Sequence, residues 1–146
     1  MALARFAILA LLMALMPAAA AAQDQEIVVE AEAHRGAIER ILQADNLDTG
    51  RMTPREVFET MAGIERGHAP DDFWNAYQVH LRAWERFAGL VEQVQRQYGE
   101  STFVEGMEEL AAAENAVNTT FGEVTRIARR YGARIPVAPI DTQSIA

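Results

Sequence analysis

From Phe73 to Tyr98, apolar and aromatic side chains return at alternating steps of four and three. The series is Phe73, Tyr77, His80, Trp84, Phe87, Val91, Val94 and Tyr98, and His80 is its one polar member. That spacing keeps a single face of an α-helix apolar and predicts a helix over about 70–98, opened by Pro70-Asp71-Asp72 and closed by Gly99. The same alternation resumes with Phe103, Met107, Leu110, Glu114, Val117, Phe121, Val124, Ala128 and Tyr131. It predicts a second long helix over about 102–131, with Thr102 and Glu105 as a capping box and Gly132 as its stop. Two long helices joined by a short turn pack antiparallel and bury one seam against the other, as in a left-handed coiled coil. Upstream, Ala37, Ile38, Ile41 and Leu42 predict a shorter helix over 32–44. Thr53-Pro54-Arg55-Glu56 is a capping box that starts another at Pro54, running to about Glu65 before Gly67. The expected fold class is all-α: a small helical bundle built on a long antiparallel hairpin, with the two shorter N-terminal helices packed across it.

The chain ends follow other patterns. Residues 1–22 carry Arg5, an apolar stretch Phe6–Met16, then Pro17 and five alanines before Gln23 and Asp24. This is the layout of a signal peptide cleaved after Ala22, and it predicts an exported protein, periplasmic or secreted, with no membrane span after cleavage. The mature chain is then a helical domain over 23–132 and a tail over 133–146, which holds Pro136 and Pro139 and reads as extended. The three β-branched residues Ile27-Val28-Val29 also read as extended chain. Residues 26–31 look like the short N-terminal box through which TonB-dependent outer-membrane receptors add a strand to their energising partner. A chain that reads as helix supplies no barrel to follow such a box, so a plain extended leader is the expectation.

Composition narrows the chemistry. There is no cysteine, which excludes thiol catalysis, disulfide scaffolds and thiolate-bound metals. There is no lysine either, so Schiff-base chemistry is excluded. Past residue 22, twelve arginines face 21 acidic residues, a formal charge of −9 with histidine neutral. Such a surface repels nucleic acid and anionic lipid.

Two constellations stand out. Residues 45–56 resemble the calcium loop of an EF-hand, with Asp45 at the first position, Gly50 at the sixth, Met52 at the eighth, Thr53 at the ninth and Glu56 at the twelfth. The resemblance implies calcium ligands from Asp45, Thr49, Arg51 (through its carbonyl), Thr53 and Glu56. Leu47 at the third position departs from the pattern, as does the neutral Thr49 at the fifth. The same letters also make a turn and a helix cap. The second constellation is the pair of polar residues in the apolar seams, His80 and Glu114, which with Tyr77 and Trp84 are candidates to line a small ligand pocket. Antiparallel pairing sets His80 opposite Phe121 and keeps it about two turns from Glu114, so the two form no direct catalytic pair.

No nucleophile elbow, phosphate loop, dinucleotide fingerprint or His-rich metal motif occurs, and no titratable groups converge for acid–base work. The expected function is therefore non-enzymatic: an exported protein-interaction module that offers an acidic helical surface to an unknown protein partner. The alternative is a bundle that binds a small ligand or, weakly, calcium; no other cofactor is implied. Seam residues left uncovered by the short helices favour a homodimer.

Overall fold

The computed structural model describes residues 16–96, 98 and 103–137. Four α-helices account for most of them: α1 (Met16–Ala44), α2 (Pro54–Ala62), α3 (Asp71–Arg96) and α4 (Phe103–Arg130). The chain divides into two compact units, one as far as Ala33 and one from His34 onward. Residues 1–15, the turn bearing Gly99, Thr102 of the second capping box and residues 138–146 lie outside the described residues.

In the first unit, α1 corrects the expectation of an extended leader. Ile27, Val28 and Val29 are helical and exposed. Each β-branched residue costs a helix only a few tenths of a kcal/mol relative to Ala. The neighbours Glu26, Glu30, Ala31, Glu32 and Ala33 are strong helix formers, so propagation carries through.

The second unit is the bundle. Helices α3 and α4 pack along their lengths as an antiparallel hairpin, and α2 packs on α3. Ile38, Ile41 and Leu42 from α1, Val57 and Met61 from α2, Phe73 and Tyr77 from α3 and Val124, Ile127 and Ala128 from α4 form one continuous core. Polar clamps hold the ends in register. Asp72, at the start of α3, accepts hydrogen bonds from Arg130 and from the Tyr131 hydroxyl at the end of α4, each 2.9 Å long. Arg55 on α2 pairs with Glu92 on α3 at 2.8 Å.

The local signals have physical counterparts. At α2 the Thr53 hydroxyl accepts from the Glu56 amide at 3.2 Å, and the Glu56 carboxylate accepts from the Thr53 amide at 2.7 Å, which closes the capping box. Gly67 has a φ of 57°, and a Cβ there would lie 2.8 Å from the guanidinium of Arg40, which donates to the Glu65 and Arg66 carbonyls. Helix α4 ends in a Schellman motif. Gly132, at a φ of 70°, donates to Arg129 and Ala133 donates to Ala128, at 3.0 and 3.1 Å.

That cap turns the described part of the tail back onto the bundle. Ala133 is buried in the core and Ile135 packs against it. Arg134 pairs with Glu39 on α1, and the Asn46 side chain donates to the Val137 carbonyl at 3.1 Å. Residues 133–137 are thus irregular in backbone but docked.

The seams need one correction. In the first half of α4 the inward positions are Gly106 and Ala113, not Met107 and Glu114, and both of the latter are exposed. In the second half Val117, Val124 and Ala128 point inward as expected. A straight helix drifts about 20° per heptad against a strict 3.5-residue repeat, so a seam extrapolated by sevens slips by one position over its length. The small Gly106 and Ala113 sit where the drift leaves least room. On α3 Ala88 and Leu90 are buried beside the expected Val94, Phe87 is half-buried, and Tyr98, past the end of the helix, is exposed.

Candidate functional site

A cavity of about 200 Å³ opens where the 45–49 loop crosses the bundle. Asp45, Asn46, Leu47 and Thr49 of the loop, Val57 and Met61 of α2, and His80, Trp84, Val117, Asn118 and Phe121 of the hairpin line it. The loop is held by its own backbone: Asp45 donates to Ile41 as α1 ends, and Leu47 donates to the Asp45 carbonyl at 2.8 Å. Asn46 is tied in turn to Val137, so the docked tail braces this loop.

His80 is buried, and its hydrogen bonds define its protonation state. The Trp84 indole N–H donates to Nε2 at 3.3 Å, so Nε2 is an acceptor. Nδ1 lies 2.9 Å from the Thr120 hydroxyl, whose own proton goes to the Ala116 carbonyl at 2.8 Å. The proton therefore sits on Nδ1, and the ring is neutral. Burial holds its pKa down to about 4, with a hydrogen bond to the Val117 backbone opposing the shift. Phe121 lies against the ring at a centroid distance of 5.5 Å, the cross-hairpin neighbour that the antiparallel spacing implied.

Asp45 is different. Its carboxyl has neither a hydrogen bond nor an ionic partner among the described residues, and burial alone pushes its pKa up to about 7. Beneath the cavity wall, Tyr77 is fully buried, and its hydroxyl finds no hydrogen-bond partner among the described residues. Burial raises its pKa, and the nearby charge of Asp45 raises it further. Removing such a hydroxyl is expected to help. Tyr77→Phe should stabilise the fold by about 1 kcal/mol in a urea titration, opposite in sign to the loss expected when a buried tyrosine gives up a hydrogen bond. A loss of stability would show that the hydroxyl has a partner.

The candidate residues thus separate. Of the proposed pocket set, His80 and Trp84 line the cavity, Tyr77 packs behind it against Phe73 and Trp74, and Glu114 is exposed on α4 away from it. The residues of the EF-hand-like set make several contacts of their own. Glu56 serves the α2 cap together with Thr53, Arg51 pairs with Asp48 at 3.8 Å, and Asp45 and Thr49 line the cavity. Among the described residues no three His, Asp or Glu side chains gather to hold a metal ion.

Sequence reasoning missed Asn46, Leu47, Asn118 and Phe121 as cavity residues. The available signal was in the loop itself: an acid followed by Asn and Leu directly after an amphipathic helix end. Among the described residues no helix is long and apolar enough to cross a membrane. No protein-family model, curated protein or solved structure matches this chain.

Proposed function

We propose that this chain is an exported helical bundle that binds a small ligand in the cavity beneath the 45–49 loop. The observation that carries this reading is the Asp45 carboxyl, half-buried and without a partner among the described residues, in a cavity lined by the apolar Trp84, Phe121, Met61, Val57, Val117 and Leu47 and the polar Asn46, Thr49, His80 and Asn118. Burying a carboxyl without a partner costs free energy, and a few polar groups converging on an apolar concavity are what orient small ligands. The leader-like first 22 residues support a place outside the cytoplasm. The test is a nuclear magnetic resonance screen of one-ring compounds that are cationic, neutral or anionic. Some are expected to move the signals of His80, Trp84, Val117 and Phe121 together. Failure of every compound to move them would overturn the reading.

A second reading, a protein-interaction module, draws on the exposed Val104 and Met107, which stand one turn apart on α4 among Glu105, Glu108 and Glu109. Val104→Glu would abolish capture of a partner from envelope extract under that reading and leave the cavity signals unchanged. Light scattering on the same protein separates a homodimer from a different partner.

A further inference from the structure

The chemistry of the cavity also selects among ligands, provided that it is a ligand site at all. We infer that it takes a small organic cation, an ammonium group carried on a single ring or short alkyl body, with the charge on Asp45 and the body against Trp84 and Phe121.

Charge is the first argument. The cavity is bordered by one acid and no base: no arginine lines it, and Arg51, Arg55, Arg66, Arg126, Arg130 and Arg134 are each paired with another carboxylate. In a chain with so many arginines, a half-buried carboxyl left without one is available to a cation from outside. An anion entering the same space would meet Asp45 with no compensating positive group. His80 does not supply one, because Trp84 and Thr120 engage both of its nitrogens and fix it in the neutral form.

The second argument is the wall. Trp84 and Phe121 are half-buried or partly exposed rings bordering the same cavity, and aromatic faces attract cations by up to about 2 kcal/mol when water is displaced. The apolar residues Leu47, Val57, Met61 and Val117 suit the remainder of the ligand. Size is the third. An apolar cavity of about 150 Å³ accommodates benzene, so a space of about 200 Å³ holds one ring with a short aminomethyl arm. The buried hydroxyl of Tyr77, without a partner among the described residues, is near enough to feel the Asp45 charge.

The pH dependence follows from the groups that face Asp45. On α3 these are His80 and Tyr77; α2 contributes Val57 and Met61, and α4 contributes Val117, Asn118 and Phe121, none of which titrates. Only Asp45 changes charge between pH 5 and 8, because His80 stays neutral above about pH 4 and Tyr77 titrates far higher.

The experiment is isothermal calorimetry of the full chain with benzylamine, benzyl alcohol, benzoate and calcium chloride, for the native protein and for Asp45→Asn. At pH 8 benzylamine should bind at least about tenfold more tightly than benzyl alcohol, and benzoate should give no heat. Benzylamine affinity should fall between pH 8 and pH 5, by at most about 90-fold, towards that of benzyl alcohol as a carboxyl with a pKa of about 7 is protonated. Asp45→Asn should erase the preference for the amine and keep the binding of the alcohol. Equal affinities for amine and alcohol, or an amine affinity unchanged in Asp45→Asn, would overturn the cation inference while leaving the ligand cavity standing. Heat with calcium and none with benzylamine would overturn it in favour of ion binding by the 45–56 loop. If no probe binds here and none moves the cavity signals in the resonance screen, both readings fall together.

Discussion

Replacing Asp45 with Asn is expected to turn a stability that is nearly flat between about pH 4.5 and 6.5 into one that rises by about 2 kcal/mol across that window. The flatness of the native profile comes from two opposed groups. Folded Asp45 keeps its proton up to about pH 7, whereas the unfolded chain loses it near 3.8. Between those values the folded state binds more protons, so stability falls as pH rises. Folded His80 is neutral above about pH 4, whereas the unfolded chain carries a protonated histidine up to 6.5. There the unfolded state binds more protons, and stability rises with pH. Each slope is at most about 1.4 kcal/mol per pH unit, and they cancel. Asparagine removes the first and exposes the second.

Glu39, Glu56, Glu92 and Glu123 have pKa values lowered chiefly by hydrogen bonds from Arg134, Thr53, Arg55 and Arg126. The stability they contribute is lost from the lower edge of this window downward, in the native protein and the variant alike, so it does not alter the difference between them. Urea titrations at pH 4.5, 5.5 and 6.5 would show the change, which corresponds to about 6–10 °C in Tm for a domain of this size. Parallel profiles for the native protein and the variant would contradict the burial of Asp45.

A second large effect is expected at Phe73. Phe73→Ala should cost about 4 kcal/mol, because the ring is fully buried between Tyr77 and the residues of α1 and α4 in the common core. Tyr98→Ala, at the far end of the same periodic series, should cost less than about 0.5 kcal/mol, since Tyr98 is 82% exposed. Against a typical total of about 5–15 kcal/mol, the first variant approaches the limit of folding and the second is neutral. Equal losses at the two sites in a denaturant titration would mean that the seam is continuous to the end of α3.

The contrast between these two residues shows what the letters alone contain. Hydrophobic period identifies the long helices, and the Thr53-Pro54-Arg55-Glu56 cap fixes the start of α2, because both signals are local and their geometry repeats wherever the pattern occurs. The inward face of a 28-residue helix is less legible, because drift accumulates. Counting by sevens places Glu114 in the seam, yet it stands on the surface while its neighbour Ala113 is buried. Ile27-Val28-Val29 misled in the other direction, since their β preference is weak beside the helix formers that flank them.

The candidate site depends most on non-local structure. His80 and Trp84 could be singled out as a polar and an aromatic member of one stripe. The role of Asp45 could not, because it arises from the loop folding over Val57, Met61 and Phe121, residues distant in sequence. The bracing of that loop by the tail depends on a hydrogen bond between Asn46 and Val137, 91 positions apart. In the sequence, Asp45 looks like the first ligand of a calcium loop, whereas in the fold it borders a cavity and Glu56 closes a helix cap.

Asp45 carries a half-buried carboxyl without a partner among the described residues in the lining of a cavity, and its state is read directly by a carbon-13 resonance titration of that carboxyl in the ligand-free protein. A midpoint near 7 is the expected result. A midpoint near 4, the value of a solvated aspartate, would place Asp45 in water and contradict both the cavity site and its selection of a cation.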